Sequence, residues 1–166
     1  MTKVIQAKAH VYLIDNIDTD RIIPGKYTKT LDVAALAAHV LEDLDVEFVH
    51  KVQPGDLLVA GHNFGCGSSR EQAPLALKAA GVSVVIARTF ARIFYRNAIN
   101  IGLPLVEVTH HTIQSGDWVS VDLANGRVTN HTRQERYQVT RMPQQMIDIL
   151  NAGGLVNYLI QHGGYV

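Results

Sequence analysis

The densest chemistry in this 166-residue chain lies in one run, Gly61-His62-Asn63-Phe64-Gly65-Cys66-Gly67-Ser68-Ser69-Arg70-Glu71-Gln72. Three glycines, Gly61, Gly65 and Gly67, fall within seven residues. Glycine serves where the backbone must adopt positive φ or approach another group closely. Ser68 and Ser69 then stand where a helix would begin, and free N–H groups with the positive end of a helix dipole favour an anion there. Arg70 adds a permanent cation able to grip a carboxylate through two hydrogen bonds. Together these residues predict a site for a carboxylate substrate with a hydroxyl near its reacting atom.

Helix capping is the competing reading. Ser68 with Glu71 and Ser69 with Gln72 form two overlapping capping-box patterns, and capping alone explains a serine at a helix start. Pro74 argues against a helix that begins at Ser69, because a proline past the first turn removes a hydrogen bond and collides with the preceding turn. Either the helix starts nearer Pro74 or its entry is distorted, and a distorted glycine-rich entry favours a site. A nucleotide loop fits poorly, since no lysine precedes Ser68 and the glycine spacing is not that of a dinucleotide fingerprint.

The elements that must position this run read as one mixed α/β domain. Leu57-Leu58-Val59-Ala60, directly before it, is a continuous apolar strand of the kind buried on both faces of a sheet. A strand over 9–14 leads into the turn-rich stretch Asp15–Asp20, and Pro24-Gly25 turns into a loop over 26–30. Val33, Leu36, Ala37, Val40, Leu41 and Leu44 predict a helix over 33–44 with Asp32 as its cap. Beyond the run, a helix over 75–80, a strand over 82–87, a helix over 90–98 and a strand over 105–108 imply parallel pairing with right-handed crossovers. The alternating stretch 118–123, the Asn125-Gly126 turn, a return over 127–129 and an extension over 137–139 predict an antiparallel appendix. Two helices over 146–150 and 155–160 should end at the glycine pairs 153–154 and 163–164.

Composition narrows the function classes. Apolar residues make up 47% and charged residues 18%, which places the chain with globular proteins. Fifteen basic residues balance fifteen acidic ones, so the footprint of a non-specific nucleic-acid binder is missing. The single cysteine, Cys66, leaves no internal disulfide and cannot alone supply the thiolates of structural zinc or an iron–sulfur cluster. It reads as a small buried filler. No stretch has the apolar length of a signal peptide or membrane span, so a cytoplasmic location without membrane contact is expected. The eight histidines show no metal-ligand spacing, and the adjacent His110 and His111 read as surface or packing residues. Arg88, Arg92 and Arg96 read as a solvated basic face, with partner docking as the alternative.

Asn63-Phe64-Gly65-Cys66-Gly67-Ser68-Ser69-Arg70-Glu71-Gln72-Ala73-Pro74 resembles the signature of the aconitase swivel-domain family, in the form seen in small subunits of 3-isopropylmalate dehydratases. Asp15-Asn16-Ile17-Asp18-Thr19-Asp20-Arg21-Ile22-Ile23-Pro24 is similar to the family's N-terminal motif. Phe90-Ala91-Arg92-Ile93-Phe94-Tyr95-Arg96-Asn97 and Gly102-Leu103-Pro104 match a third block, so the resemblance spans nearly the whole chain.

The resemblance implies a single α/β swivel domain over 1–166, of β/β/α type, with a mixed sheet flanked by helices, a loop at 24–31 and a site loop at 61–73. It implies a hydro-lyase subunit that interconverts 2-isopropylmalate and 3-isopropylmalate by dehydration and rehydration in leucine biosynthesis. A large partner subunit would hold a [4Fe–4S] cluster as Lewis acid for the leaving hydroxyl, with no cofactor or metal bound by this chain and no activity without that partner. By the same resemblance Ser68 is the general base that takes the carbon-bound proton, Arg70 binds a substrate carboxylate and Ser69 supports that anion site. A serine hydroxyl is a poor base unless its alkoxide is stabilised, and N–H donors with an adjacent guanidinium suit that task.

Asp20 lies in a region that the resemblance places near the active site, and a surface ion pair with Arg21 is the equal alternative. The loop Tyr27-Thr28-Lys29-Thr30 is implied to select the substrate, which makes Lys29 and Thr30 candidate contacts. Homoaconitase-like members carry an arginine about where Lys29 stands and isopropylmalate enzymes an apolar residue; Lys29 departs from both. Homoaconitate, citramalate and 2,3-dimethylmalate therefore stay open as substrates, and a stand-alone binding or regulatory module is the alternative from another class.

Overall fold

In a computed structural model that describes residues 4–30 and 32–163, the chain runs β1 (Val4–Tyr12), α1 (Thr19–Ile22), a 3-10 turn (Gly25–Tyr27), α2 (Val33–Ala38), α3 (Phe48–Lys51) and β2 (Leu57–Ala60). It continues through α4 (Gln72–Ala79), β3 (Val84–Ala87), α5 (Arg92–Asn100), β4 (Leu105–Glu107), β5 (Trp118–Asp122), β6 (Arg127–Asn130), β7 (Glu135–Gln138), α6 (Gln144–Asn151) and α7 (Leu155–His162). The seven strands form one sheet in the order β4-β3-β2-β1-β5-β6-β7. The β1–β4 half is parallel and the β5–β7 half antiparallel. β1 is the seam: Ala9–Tyr12 pair parallel with β2, and Val4–Lys8 pair antiparallel with β5. This is the expected mixed sheet with flanking helices.

β2 and β3 are apolar at every position because both of their faces are covered. Side chains alternate across a strand. Leu58, Ala60, Val85 and Ala87 accordingly enter a core with Ile22, Leu36, Leu77 and Phe94. Leu57, Val59, Val84 and Ile86 enter a second core with Val119, Val121, Val128 and Ile147.

The differences from the sequence expectations have local causes. β1 begins at Val4 rather than 9, because its first half is an alternating, half-covered strand and not an apolar run. The turn-rich stretch 15–20 opens a one-turn helix, whose cap Asp18 accepts a hydrogen bond from the Arg21 N–H at 2.8 Å. The helix expected over 33–44 stops at Ala38. Leu41 takes φ +58° and its N–H bonds the Ile22 carbonyl at 2.8 Å, so Val40 and Leu41 reach the core from a turn. The two site-flanking helices start at Gln72 and Arg92, the strands expected at 82 and 137 start at Val84 and Glu135, and β4 stops at Glu107. Gly163 closes α7 at φ +68°, whereas Gly164 and the loop residue Leu31 lie outside the described residues. No helix among the described residues is long and apolar enough to cross a membrane.

Candidate active site

The run 61–71 leaves the carboxyl end of β2, the edge of a parallel sheet where ligand crevices form. Its first glycine lies against the loop that follows β1: a Cβ on Gly61 would sit 2.6 Å from both Asp15 Oδ1 and the Ile14 carbonyl. The two loops are stitched by His62 N–H donating to Asp15 Oδ1 and Asn16 N–H donating to the His62 carbonyl, both at 2.8 Å. At Gly65, with φ +84°, a Cβ would lie 2.2 Å from Phe94 Cγ. The neighbouring Phe64 meets Phe94 edge-on at 5.3 Å between ring centroids, and its backbone bonds Thr89 and Ala91. The site loop is thereby pressed onto the connection from β3 to α5.

Thr19, buried at the start of α1, fixes the next stretch. Its N–H donates to the Cys66 carbonyl at 2.9 Å and its hydroxyl to the Ser68 carbonyl at 2.8 Å. With those carbonyls engaged, the main-chain N–H groups of Ser68, Ser69 and Arg70 have no acceptor among the described residues. Such a row of free donors is an anion-binding arrangement.

Neither serine caps α4, so the competing capping-box reading does not hold. The cap position is Glu71, without a side-chain hydrogen bond, and the helix begins at Gln72. Pro74 then lies within the first turn, where a missing N–H costs nothing. Ser68 is exposed and its hydroxyl has no partner among the described residues, while the Ser69 hydroxyl accepts a long hydrogen bond from Asn97 Nδ2 at 3.4 Å.

A cavity of about 260 Å³ opens here. Thr19 and the loop 65–70 form one wall; Ala91, Arg92, Ile93, Phe94 and Asn97 of the α5 entry form the other. Arg70 Nη1 donates to Asp20 Oδ1 at 2.9 Å, and the same oxygen accepts the Gly25 N–H at 3.0 Å. The Arg70 guanidinium, then the Gly25 amide, hold the Asp20 carboxyl below the usual carboxylate range. The surface pair with Arg21 is therefore not what Asp20 forms. Burial, followed by the nearby Asp18 charge, pushes the Cys66 thiol up.

The structure thus brings together Ser68, Ser69, Arg70 and Asp20. Lys29 and Thr30 are not on the cavity wall: Lys29 is exposed without an ion pair among the described residues, and the Thr30 hydroxyl accepts the Asp32 N–H at 3.0 Å. Their loop reaches the site through its other end, where Gly25 meets Asp20 and Gln72 Nε2 donates to the Thr28 carbonyl at 3.0 Å. Thr19, Arg92 and Asn97 join the site without a spacing signal, because each arrives by tertiary packing. Membership of the N-terminal motif and of the 90–97 block was the one pointer to them. Among the described residues no three His, Cys, Asp or Glu side chains are grouped to hold a metal ion, and a single cysteine does not fit an iron–sulfur cluster.

Comparison with known proteins gives these features a context. The aconitase C-terminal domain family matches residues 12–110. The chain is 58% identical to a 3-isopropylmalate dehydratase small subunit from Caldicellulosiruptor bescii, across 94% of this chain and 95% of that one. It is 51% identical to a 2,3-dimethylmalate dehydratase small subunit from Eubacterium barkeri, across 93% and 97%. The crystal structure of a 3-isopropylmalate dehydratase from Methanocaldococcus jannaschii matches with a TM-score of 0.91 at 45% identity, covering 97% of this chain and 96% of that one. The chain belongs to the aconitase C-terminal domain family, alongside its dehydratase small subunits.

Proposed function

We propose that this chain is the small subunit of a cytoplasmic hydro-lyase that interconverts 2-isopropylmalate and 3-isopropylmalate in leucine biosynthesis, with a large subunit completing the active site. One observation carries the reading: Ser68, whose hydroxyl has no partner among the described residues, lines the same open cavity as Ser69 and Arg70, and the N–H groups of all three lack acceptors there. A [4Fe–4S] cluster, for which this chain lacks donors, would reside on the partner and supply a Lewis acid for the departing hydroxyl.

This chain's share is to bind the acid and move the proton. Arg70 keeps Nη1 on Asp20 and offers its remaining N–H groups to one substrate carboxylate. Arg92, on the opposite wall without a carboxylate partner among the described residues, faces the second. Ser68 Oγ, as the alkoxide, takes the proton from one carbon as the hydroxyl leaves its neighbour. On rehydration the water oxygen adds to the deprotonated carbon and a proton goes to the carbon that lost the hydroxyl, so the hydroxyl has moved by one carbon. The Ser68–Arg70 N–H groups and the guanidinium lower the cost of negative charge on that oxygen. Ile93 and Phe94 offer apolar surface to the alkyl branch. Conversion of 2,3-dimethylmalate is the second reading, supported by the 51% identity to the Eubacterium barkeri subunit.

The test combines the chain with a large subunit, reconstitutes iron and sulfide anaerobically, and assays a panel of hydroxy acids. Turnover of isopropylmalate is expected, with Ser68→Ala lowering kcat by about 10²–10⁴-fold. No turnover of any acid with an authentic partner sinks the reading, and turnover unchanged by Ser68→Ala removes Ser68 as the base.

A further inference from the structure

The segment 25–30 is tied down by three side chains outside the cavity. The Tyr27 ring stacks on the His39 imidazole, 3.8 Å between centroids and 4° from parallel. Glu42 closes the stack with both carboxylate oxygens: Oε1 accepts the Tyr27 hydroxyl at 3.1 Å, and Oε2 lies 3.0 Å from His39 Nδ1. A carboxylate accepts only, so the Nδ1 proton points at Glu42. His39 is the C-terminal cap of α2, so the clip joins the 3-10 turn to the end of that helix. A half-exposed pair of this kind adds little to global stability. Its effect is local.

The same turn supports the carboxylate-binding cation. Tyr27 ends the turn that Gly25 begins, and the Gly25 carbonyl accepts both the N–H and the hydroxyl of Thr28. The Gly25 N–H shares Asp20 Oδ1 with Arg70, and a Cβ on Gly25 would lie 3.3 Å from Arg70 Nη1. A movement of Tyr27 therefore passes through two residues of turn to the guanidinium.

We infer that Tyr27, His39 and Glu42 form a clip that holds the 25–30 segment against the Asp20–Arg70 pair, so that Glu42 is a positioning residue for substrate-carboxylate binding. The inference rests on Arg70 binding the substrate, as proposed above. Two measurements on the full chain alone test the clip independently of that function. In Glu42→Ala, amide exchange in peptides covering 25–30 should quicken about tenfold while β2 and β3 stay protected. The Asp20 carboxyl, followed by carbon NMR, should titrate closer to its ordinary range, because its Gly25 and Arg70 donors loosen. Tyr27→Phe, which keeps the stack and loses one hydrogen bond, should fall between.

In the reconstituted enzyme, KM for the hydroxy acid should rise about 5- to 20-fold with kcat within about twofold. Unchanged exchange at 25–30 overturns the clip whatever the activity. Faster exchange with an unmoved Asp20 titration overturns its link to Arg70. A wild-type enzyme without turnover defeats the proposed function while the two measurements on the chain still decide the clip.

Discussion

The hydroxyl of Thr19 donates to the carbonyl of Ser68 at 2.8 Å, and the Thr19 N–H holds the Cys66 carbonyl at 2.9 Å. One buried residue thus grips the chain on both sides of Gly67 and turns the following N–H groups away from internal acceptors. Thr19→Val keeps the volume and removes the donor. It should cost about 1 kcal/mol in denaturant unfolding and lower kcat about tenfold through misplacement of Ser68. Thr19→Ser should restore most of both.

Arg70 and Asp20 make a charge pair whose geometry matters more than its sign. Arg70→Lys keeps the cation but loses the planar fork, and KM should rise about 10- to 100-fold in steady-state assays. The Asp20 carboxyl is held low by Arg70 and Gly25, so its folded form favours the ionised state. Its contribution is present above the ordinary carboxylate range and is lost as pH falls through the lowered folded value. Asp20→Asn should flatten that acid-side loss in unfolding curves while leaving an acceptor for Gly25.

Gly65 and Gly67 separate crowding from backbone strain. Both have positive φ, +84° and +90°, but a Cβ on Gly65 would strike the Phe94 ring at 2.2 Å, whereas one on Gly67 would stand 3.3 Å from Asp18 Cβ. Gly65→Ala should destabilise by about 2–4 kcal/mol and Gly67→Ala by about 1–2 kcal/mol, measured by urea midpoint.

His111 gives the fold a dependence on mild acid. It is buried, its Nδ1 accepts the Ile113 N–H at 3.1 Å, and its Nε2 has no partner among the described residues. Burial, with the Arg88 charge adding to it, lowers its pKa from 6.5 to about 4. The unfolded chain therefore binds the proton first, and stability should fall between those two values by at most about 3 kcal/mol. His111→Asn, which retains an acceptor for Ile113, should remove that slope from a series of unfolding curves.

What could be read in advance depended on whether the cause was local. Leu57–Ala60 announces a two-face-buried strand in its own composition, and Ser68-Ser69-Arg70 carries its chemistry in consecutive residues. Pro74 reduced the start of α4 to two choices, and the structure takes the one that places Pro74 in the first turn. The serines looked like caps because the capping pattern is short, but the φ +90° turn at Gly67 and the Thr19 clamp direct the loop away from that geometry. Val40 and Leu41 keep helical spacing without a helix, since Leu41 spends its N–H on Ile22 across the chain. Arg92 looked like surface charge until α5 was packed against the loop that it faces. Lys29, which the resemblance puts in the substrate-selecting loop, stands away from the cavity wall.

β1 divides its pairing between β2, at residues 57–60, and β5, at residues 118–122, which comes only after the last strand of the parallel half. During synthesis the parallel half has all its strands once Glu107 emerges, yet the Val4–Lys8 segment still lacks β5, the strand it pairs with. Long-range pairing of this kind raises contact order and slows closure. The nascent chain is therefore expected to carry an open strand edge beside a largely assembled parallel half, a period in which a chaperone or a misplaced strand competes for β1.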